Sequence, residues 1–186
     1  MNPTSNKSDF EDLTTNLKDL AYSYLEKYSP SKQQLKVYLL KKYLTKIKGS
    51  KSKKEVTYII DKIISNLENN KFLNDEMYSD SKARMFLRRG YSLNKINQSL
   101  RNKGIEDKYV RQSIEKIKED QIEPDFVSAL KLCRRRRIGP LRPESNRELF
   151  YKKDMGILAR GGFSFDLSKR VLDLEKKEFK KLIQII

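Results

Sequence analysis

Apolar residues recur at three- and four-residue steps through most of this chain, a spacing that admits little besides α-helix. Leu13, Leu17, Leu20, Tyr24 and Tyr28 form one set, and Val56, Ile60, Ile63 and Leu67 a second. Further sets are Leu93, Ile96 and Leu100, then Val110, Ile114 and Ile117, then Leu167, Val171 and Leu174. Each set lines up as a stripe on one helix face, ready to be buried against a neighbour. No sustained two-residue alternation with hairpin turn chemistry occurs, so no sheet is expected.

Special residues divide the stripes. Ser29 is placed to cap a helix with Pro30 at its first position. Gly49 to Lys54 reads as a polar linker. Asn74-Asp75 opens a helix with Glu76 in its first turn. Gly90 closes that helix and Ser92 caps the next, while Gly104 supplies a left-handed stop. Gly139-Pro140 and Pro143 make a rigid turn; Gly161-Gly162 ends another helix and Ser164 caps its successor. The breaks give about nine helices, and these fall into threes. Tyr28-Ser29 precedes Leu35, Leu39 and Lys41-Lys42; Tyr91-Ser92 precedes Ile96, Leu100 and Lys103-Gly104. A third unit carries Ile157-Leu158 and then Arg160-Gly161-Gly162-Phe163.

The pattern is that of a diverged repeat of roughly 45–60 residues. The expected organisation is a flexible N-terminus over 1–12, three-helix repeats over 13–70, 71–120 and 121–175, and a helical extension over 176–186. A unit this small has too little core to stand alone, so stacking should bury what each repeat leaves exposed. The expected fold class is all-α, an elongated, curved array of three tandem three-helix repeats; the same periodicities also allow a closed bundle.

Lys and Arg number 41 against 25 Asp and Glu, a net charge of +16. Residues 1–70 hold 13 basic and 8 acidic side chains, residues 71–120 hold 12 and 8, and residues 121–186 hold 16 and 9. The charge is spread along the chain, which points to a long binding face for a polyanion or an acidic protein surface. There is no His and one Cys, Cys133. The commonest general base and metal ligand is therefore missing and no internal disulfide can form, as suits a reducing cytoplasm. Gly49-Ser-Lys lacks the upstream glycine of a phosphate-binding loop, and there is no Cys-x-x-Cys or Gly-x-Gly-x-x-Gly. No apolar run approaches the ~20 residues of a membrane span, and Met1 to Asp12 is no secretory signal. No catalytic residue, metal site or cofactor is expected.

The densest basic cluster is Arg134-Arg135-Arg136-Arg137, with Arg142 beyond it. Four successive helix positions fan around more than one face, so some of these arginines should reach a partner while others stay in solvent or pair with Glu144 or Glu148. Arg88-Arg89, Arg101 and Lys103 end helices in the middle unit; Lys41-Lys42 and Arg160 are their counterparts in the first and third. Such a stripe suits a filament, although each residue also suits the helix C-terminal dipole. Tyr24, Tyr28, Tyr38, Tyr43, Tyr78, Phe86, Phe126, Phe163 and Phe165 mostly fall on apolar stripes and are expected in the core. Tyr91 and Tyr109, beside charged residues, are candidates for stacking on bases. Cys133 beside Arg134 is either a reactive thiol or a small core residue.

The middle unit, with Leu73-Asn74-Asp75-Glu76, Arg88-Arg89-Gly90, Ser92, Ile96, Leu100 and Lys103-Gly104-Ile105, resembles the repeat of RecX regulatory proteins. Ala21-x-x-Tyr24-Leu25 and Tyr28-Ser29 add to it in the first unit, although Tyr28, Pro30 and Lys32 stand where the family has arginines. Ala129 to Arg137, Gly139-Pro140, Lys152 to Arg160 and Gly162 to Phe165 look like a last family repeat. The resemblance covers roughly residues 15–175. It implies a non-enzymatic, cytoplasmic regulator of DNA repair and recombination, linked to the SOS response. Such a protein grips the RecA filament on single-stranded DNA and restrains its ATPase and strand exchange. Direct DNA contact and a monomeric state are also expected. A general basic DNA- or RNA-binding helical protein is the alternative, and an enzyme using carboxylates and Lys a distant third.

Overall fold

The computed structural model describes the backbone of residues 3–47 and 52–186 and the side chains of 10–45 and 52–186. Among these are ten α-helices and no strand: α1 (Pro3–Lys27), α2 (Lys32–Lys42), α3 (Lys53–Asn69), α4 (Asp75–Arg88), α5 (Leu93–Arg101), α6 (Asp107–Asp120), α7 (Pro124–Arg136), α8 (Glu144–Arg160), α9 (Phe165–Leu172) and α10 (Lys176–Ile185). A π-helical turn, Tyr43–Ile47, prolongs α2, and a 3-10 turn, Gly139–Leu141, follows α7. The chain is all-α, as its periodicity requires.

Three local expectations need correction. The arm expected to be flexible over 1–12 is helical from Pro3; the Thr14 and Thr15 hydroxyls donate back to the carbonyls of Phe10 and Glu11 and continue the turn. Ser31, not Ser29, caps α2, because Gln34 completes a reciprocal box: its amide N–H donates to Ser31 Oγ and its side chain accepts from the Ser31 N–H. Of the expected linker, Gly49, Ser50 and Lys51 lie outside the described residues, while Ser52 forms the same box with Glu55 and Lys53 begins α3.

The chain divides into two compact units, Met1–Tyr78 with Lys103–Ile105, and Ser79–Asn102 with Glu106–Ile186. The first packs Leu13, Leu17 and Ala21 of α1 against Leu35 and Leu39 of α2 and Val56, Ile60, Ile63 and Leu67 of α3. The second holds a core of Ala129, Leu132, Cys133, Ile138, Leu158, Phe163, Val171, Leu172 and Phe179 from α7 to α10. Among the expected core aromatics, Tyr43, Tyr78, Phe86 and Phe163 are buried. Tyr24, Tyr38 and Phe126 are half-buried, and Tyr28 and Phe165 are exposed.

One joint occurs once in each unit. In the first, Ser31 Oγ donates to the Lys103 carbonyl at 2.9 Å and the Lys32 N–H donates to Asp75 Oδ1 at 2.9 Å. In the second, the Ser92 N–H donates to the Gly161 carbonyl at 3.2 Å and the Leu93 N–H donates to Asp125 Oδ1 at 2.7 Å. Each joint supplies a carboxylate from another helix's first turn to the orphan N–H groups opening a short helix, where negative charge is also favoured. Each has a glycine packed against the start of the short helix: Gly104, at φ +74°, would place a Cβ 2.4 Å from Gln33 Cβ. Gly162, at φ +87°, lies so close that an added Cβ would stand 2.4 Å from Ser92 Oγ.

A buried ion pair ties the 3-10 turn to α8. Asp154, 1% exposed, accepts from Arg142 Nε at 2.6 Å, from Arg142 Nη2 at 2.7 Å and from the Gly139 N–H at 2.9 Å. The Arg142 guanidinium also lies over the Phe150 ring. This corrects the expectation of Arg142 as a partner-binding residue: its hydrogen-bonding fork is already taken, and its partner is neither Glu144 nor Glu148. Asp154→Ala leaves a largely buried guanidinium unpaired and should cost about 3 kcal/mol. Urea unfolding will read this as a lower midpoint at unchanged slope; a loss below about 1 kcal/mol would show the pair to be solvent-screened.

Candidate functional site

The arginine run at the end of α7 fans out as helical geometry demands. Leu132, Arg135 and Arg136 are spaced i, i+3 and i+4 and share one face. Arg134 turns toward α10 and donates to the Ile183 carbonyl at 3.4 Å. Arg137 leaves the helix in the left-handed conformation, φ 54°, as its C-cap. On α8, Ile157 and Arg160 are likewise one turn apart. The two helices face each other across an open cleft of about 370 Å³, lined by Gly90, Tyr91, Lys95, Leu132, Arg135, Arg136, Ile157, Arg160 and Gly161. Leu132 and Ile157 are its apolar lining, and Arg135, Arg136, Arg160 and Lys95 are its cations.

The α4–α5 turn brings Tyr91 and Lys95 to this place. Gly90 there has φ +74°, and a Cβ on it would stand 2.7 Å from the Leu132 amide nitrogen and 2.8 Å from the Ser128 carbonyl oxygen. Only a residue without a side chain lets the turn lie directly on α7. The Ser92 joint to Gly161 fixes the other side. Tyr91 is backed by Phe86, with ring centroids 5.3 Å apart and planes within 5°.

Among the described residues no carboxylate lines the cleft. Arg135, Arg136 and Arg160 form no ion pair among the described residues, and Lys95 donates to the Gln98 side chain. Lys131, on α7, is pushed below the usual lysine range by its burial and by Arg134 beside it. The cleft is thus a built concentration of positive charge with an aromatic side chain in its wall, suited to an anion with a planar group or to an acidic surface.

Of the other basic residues singled out in the sequence, Arg88 and Arg89 end α4 and are exposed, as is Arg101, which pairs with Asp107 at 3.3 Å. Lys41 is exposed at the end of α2, and Lys42 is half-buried with its ammonium 5.4 Å from the Tyr38 ring centroid. Half-buried Lys103 gives its carbonyl to the first joint. Three of the twelve residues therefore meet in the cleft. Lys95 was missed because it sits in a helix's first turn without neighbouring charge. Tyr91 stood among the candidates for stacking, and its place in the wall depends on Gly90.

Cys133 is fully buried in the core, and burial pushes its thiol up to about 12, Asp154 adding to the shift. The reactive reading of this residue is set aside. The thiol should resist an aromatic disulfide reagent in the folded protein and react fully in denaturant. An acid whose folded pKa is raised favours the folded state only while protonated, so this contribution is lost as pH climbs from about 9 toward about 12. Over that interval the parent should lose stability more steeply than Cys133→Ala, by about 1.4 kcal/mol per pH unit; equal slopes in pH-dependent urea titrations would refute the assignment.

Among the described residues no group of three or more His, Cys, Asp or Glu could hold a metal ion, and no described helix is long and apolar enough to cross a membrane.

No family model matches the chain. It is 34% identical over 161 residues, 86% of its length and 85% of the relative's, to a protein of Myxococcus xanthus (strain DK1622) described as regulatory protein RecX. It is 26% identical over 113 residues to the protein of the same description from Agrobacterium fabrum (strain C58 / ATCC 33970), covering 61% of this chain and 58% of that one. Among solved structures, a crystal structure of regulatory protein RecX matches with a TM-score of 0.62 at 20% identity, over 94% of this chain and 79% of that one.

Proposed function

The chain belongs to the RecX family of regulatory proteins, and from that premise we propose that it regulates homologous recombination by binding the RecA filament on single-stranded DNA and restraining its ATPase and strand exchange. The observation that carries this reading is the likeness, along 86% of the chain, to a protein described as a RecX regulator. The cleft between α7 and α8 is the place where this chain's charge is best organised to act.

The mechanism is summation of weak contacts. One exposed ion pair contributes only ~0.2–1 kcal/mol. Arg135, Arg136, Arg160 and Lys95 act from one cleft, and Arg88, Arg89, Arg101, Lys103, Arg134, Arg137, Lys41 and Lys42 add contacts around it and on the first unit. Because all are carried on one chain, each contact made raises the local concentration for the next. In this reading the repeats over 13–70, 71–120 and 121–175 together bridge neighbouring filament subunits and oppose the movement their ATP cycle requires. The recurrence of the serine–carboxylate–glycine joint supports a repeated architecture. The protein acts as a monomer without chemistry of its own.

The carboxylate-free cleft also suits a second reading, general binding to nucleic acid without a recombinase partner. The two differ in what they require. The favoured one needs strong binding to RecA-coated DNA and weak binding to bare DNA; the second needs tight binding to bare DNA that falls steeply as salt rises. The experiment is a titration of RecA ATPase on single-stranded DNA with the parent protein and with Arg135→Glu/Arg136→Glu. The parent should inhibit, and the double variant should need at least about tenfold more protein for half inhibition, since reversal replaces attraction by repulsion at two positions. Both arginines are exposed, so the variant should melt like the parent. No inhibition by the parent would remove the proposal; equal potency of the variant would remove the cleft from it.

A further inference from the structure

The first unit carries an aromatic feature that the reading above does not use. Tyr24 lies in the last turn of α1 and Tyr28 just past its end, with the Tyr28 N–H donating to the Tyr24 carbonyl at 3.0 Å; Tyr38 reaches them from α2. The Tyr24 and Tyr38 rings are stacked, with centroids 4.1 Å apart and planes at 19°; Tyr24 and Tyr28 lie 4.9 Å apart at 42°. The three rings, with Ser23 and Lys27, line an open pocket of about 360 Å³. Tyr28 leaves 59% of its surface in water, although its position falls on the apolar stripe of α1. Lys42 holds its ammonium 5.4 Å from the Tyr38 centroid, and among the described residues no acidic side chain lines the pocket.

Chemistry narrows the occupant. A box of tyrosines ordinarily suits a cation, but Lys27 in the wall and Lys42 on Tyr38 place like charge there. An aliphatic side chain would leave both ammonium groups unanswered. A group with a flat π-face and an attached anion satisfies rings and lysines together. A nucleotide whose base is free of a duplex stack has this form; paired duplex bases present no free face.

We propose that the Tyr24–Tyr28–Tyr38 platform binds single-stranded nucleic acid, stacking an unpaired base on Tyr28 and steering the adjoining phosphate to Lys27 and Lys42. The platform lies on the first unit and the α7–α8 cleft on the second, so Tyr28 variants test this site and Arg135 and Arg136 variants test the cleft, each without altering the other.

The test measures fluorescence anisotropy of labelled oligothymidylate and oligouridylate at low ionic strength, with no other protein present. Tyr28→Leu keeps bulk and apolarity but removes the ring face, and should weaken binding roughly tenfold, the scale of one base–aromatic stack. Tyr28→Phe should bind within about twofold of the parent. An oligonucleotide carrying 5-iodouracil should crosslink to Tyr24, Tyr28 or Tyr38, and a duplex of the same length should not compete. Thermal melts matching the parent will confirm that the exposed substitutions leave the fold intact. Binding by Tyr28→Leu equal to the parent, equal losses in Tyr28→Leu and Tyr28→Phe, or crosslinks confined to other residues would each overturn the proposal. The same affinity for both oligonucleotides fits a site that reads base and phosphate; loss of either ligand alone would confine it to DNA or to RNA.

Discussion

The structure depends on how short helices obtain partners for their opening N–H groups. α5 has nine residues, too few to be stable on intrinsic propensity. Its start is held by Ser92 as cap, by Asp125 on the Leu93 N–H and by the Gly161 carbonyl on the Ser92 N–H. These bonds bind the α4–α5 turn to the beginning of α7 and to the end of α8 simultaneously. The same set of groups, Ser31, Asp75 and Lys103-Gly104, serves α2 in the first unit. Within the second unit this constraint shapes the cleft: with the turn fixed, Tyr91 and Lys95 stand in its wall.

The cleft concentrates positive charge with no acid in its wall. Several features make that tolerable. Arg135 and Arg136 stand in the last turn of α7 and Arg160 in the last turn of α8, where the helix dipole favours cations. All three are exposed and keep their hydration. Arg142, half-buried, has the buried carboxylate of Asp154 aligned to two arms of its fork. Arg142 is thereby tied into the second unit, whereas Arg135, Arg136 and Arg160 form no ion pair among the described residues. Cys133 lies close enough to Asp154 to feel its charge.

The helices and most of their stops were legible because they rest on local rules. Gly90 and Gly104 adopt positive φ, and Ser92 and Ser164 accept the cap hydrogen bonds expected of them. Misjudgements arose where two local signals competed. Ser29 and Ser31 both flank Pro30, and the choice fell to Gln34, whose side chain completes a box only with Ser31. Tyr28 has the spacing of a core residue and is exposed: it stands just past Lys27, where α1 ends. Arg142 carried the same charge signal as its neighbours; its real partner stands twelve residues away across a turn, beyond the reach of helical spacing.

Sequence alone determined the all-α class, the excess of basic side chains and the resemblance to RecX proteins, because periodicity, charge and motif order are properties of the chain itself. Which arginines converge, which one is consumed by Asp154, and which tyrosines form an open platform were decided only by tertiary packing. Helical spacing sets the face from which a side chain leaves; what waits opposite that face depends on contacts between residues far apart in the chain, such as Gly90 with Leu132 and Asp125 with Leu93.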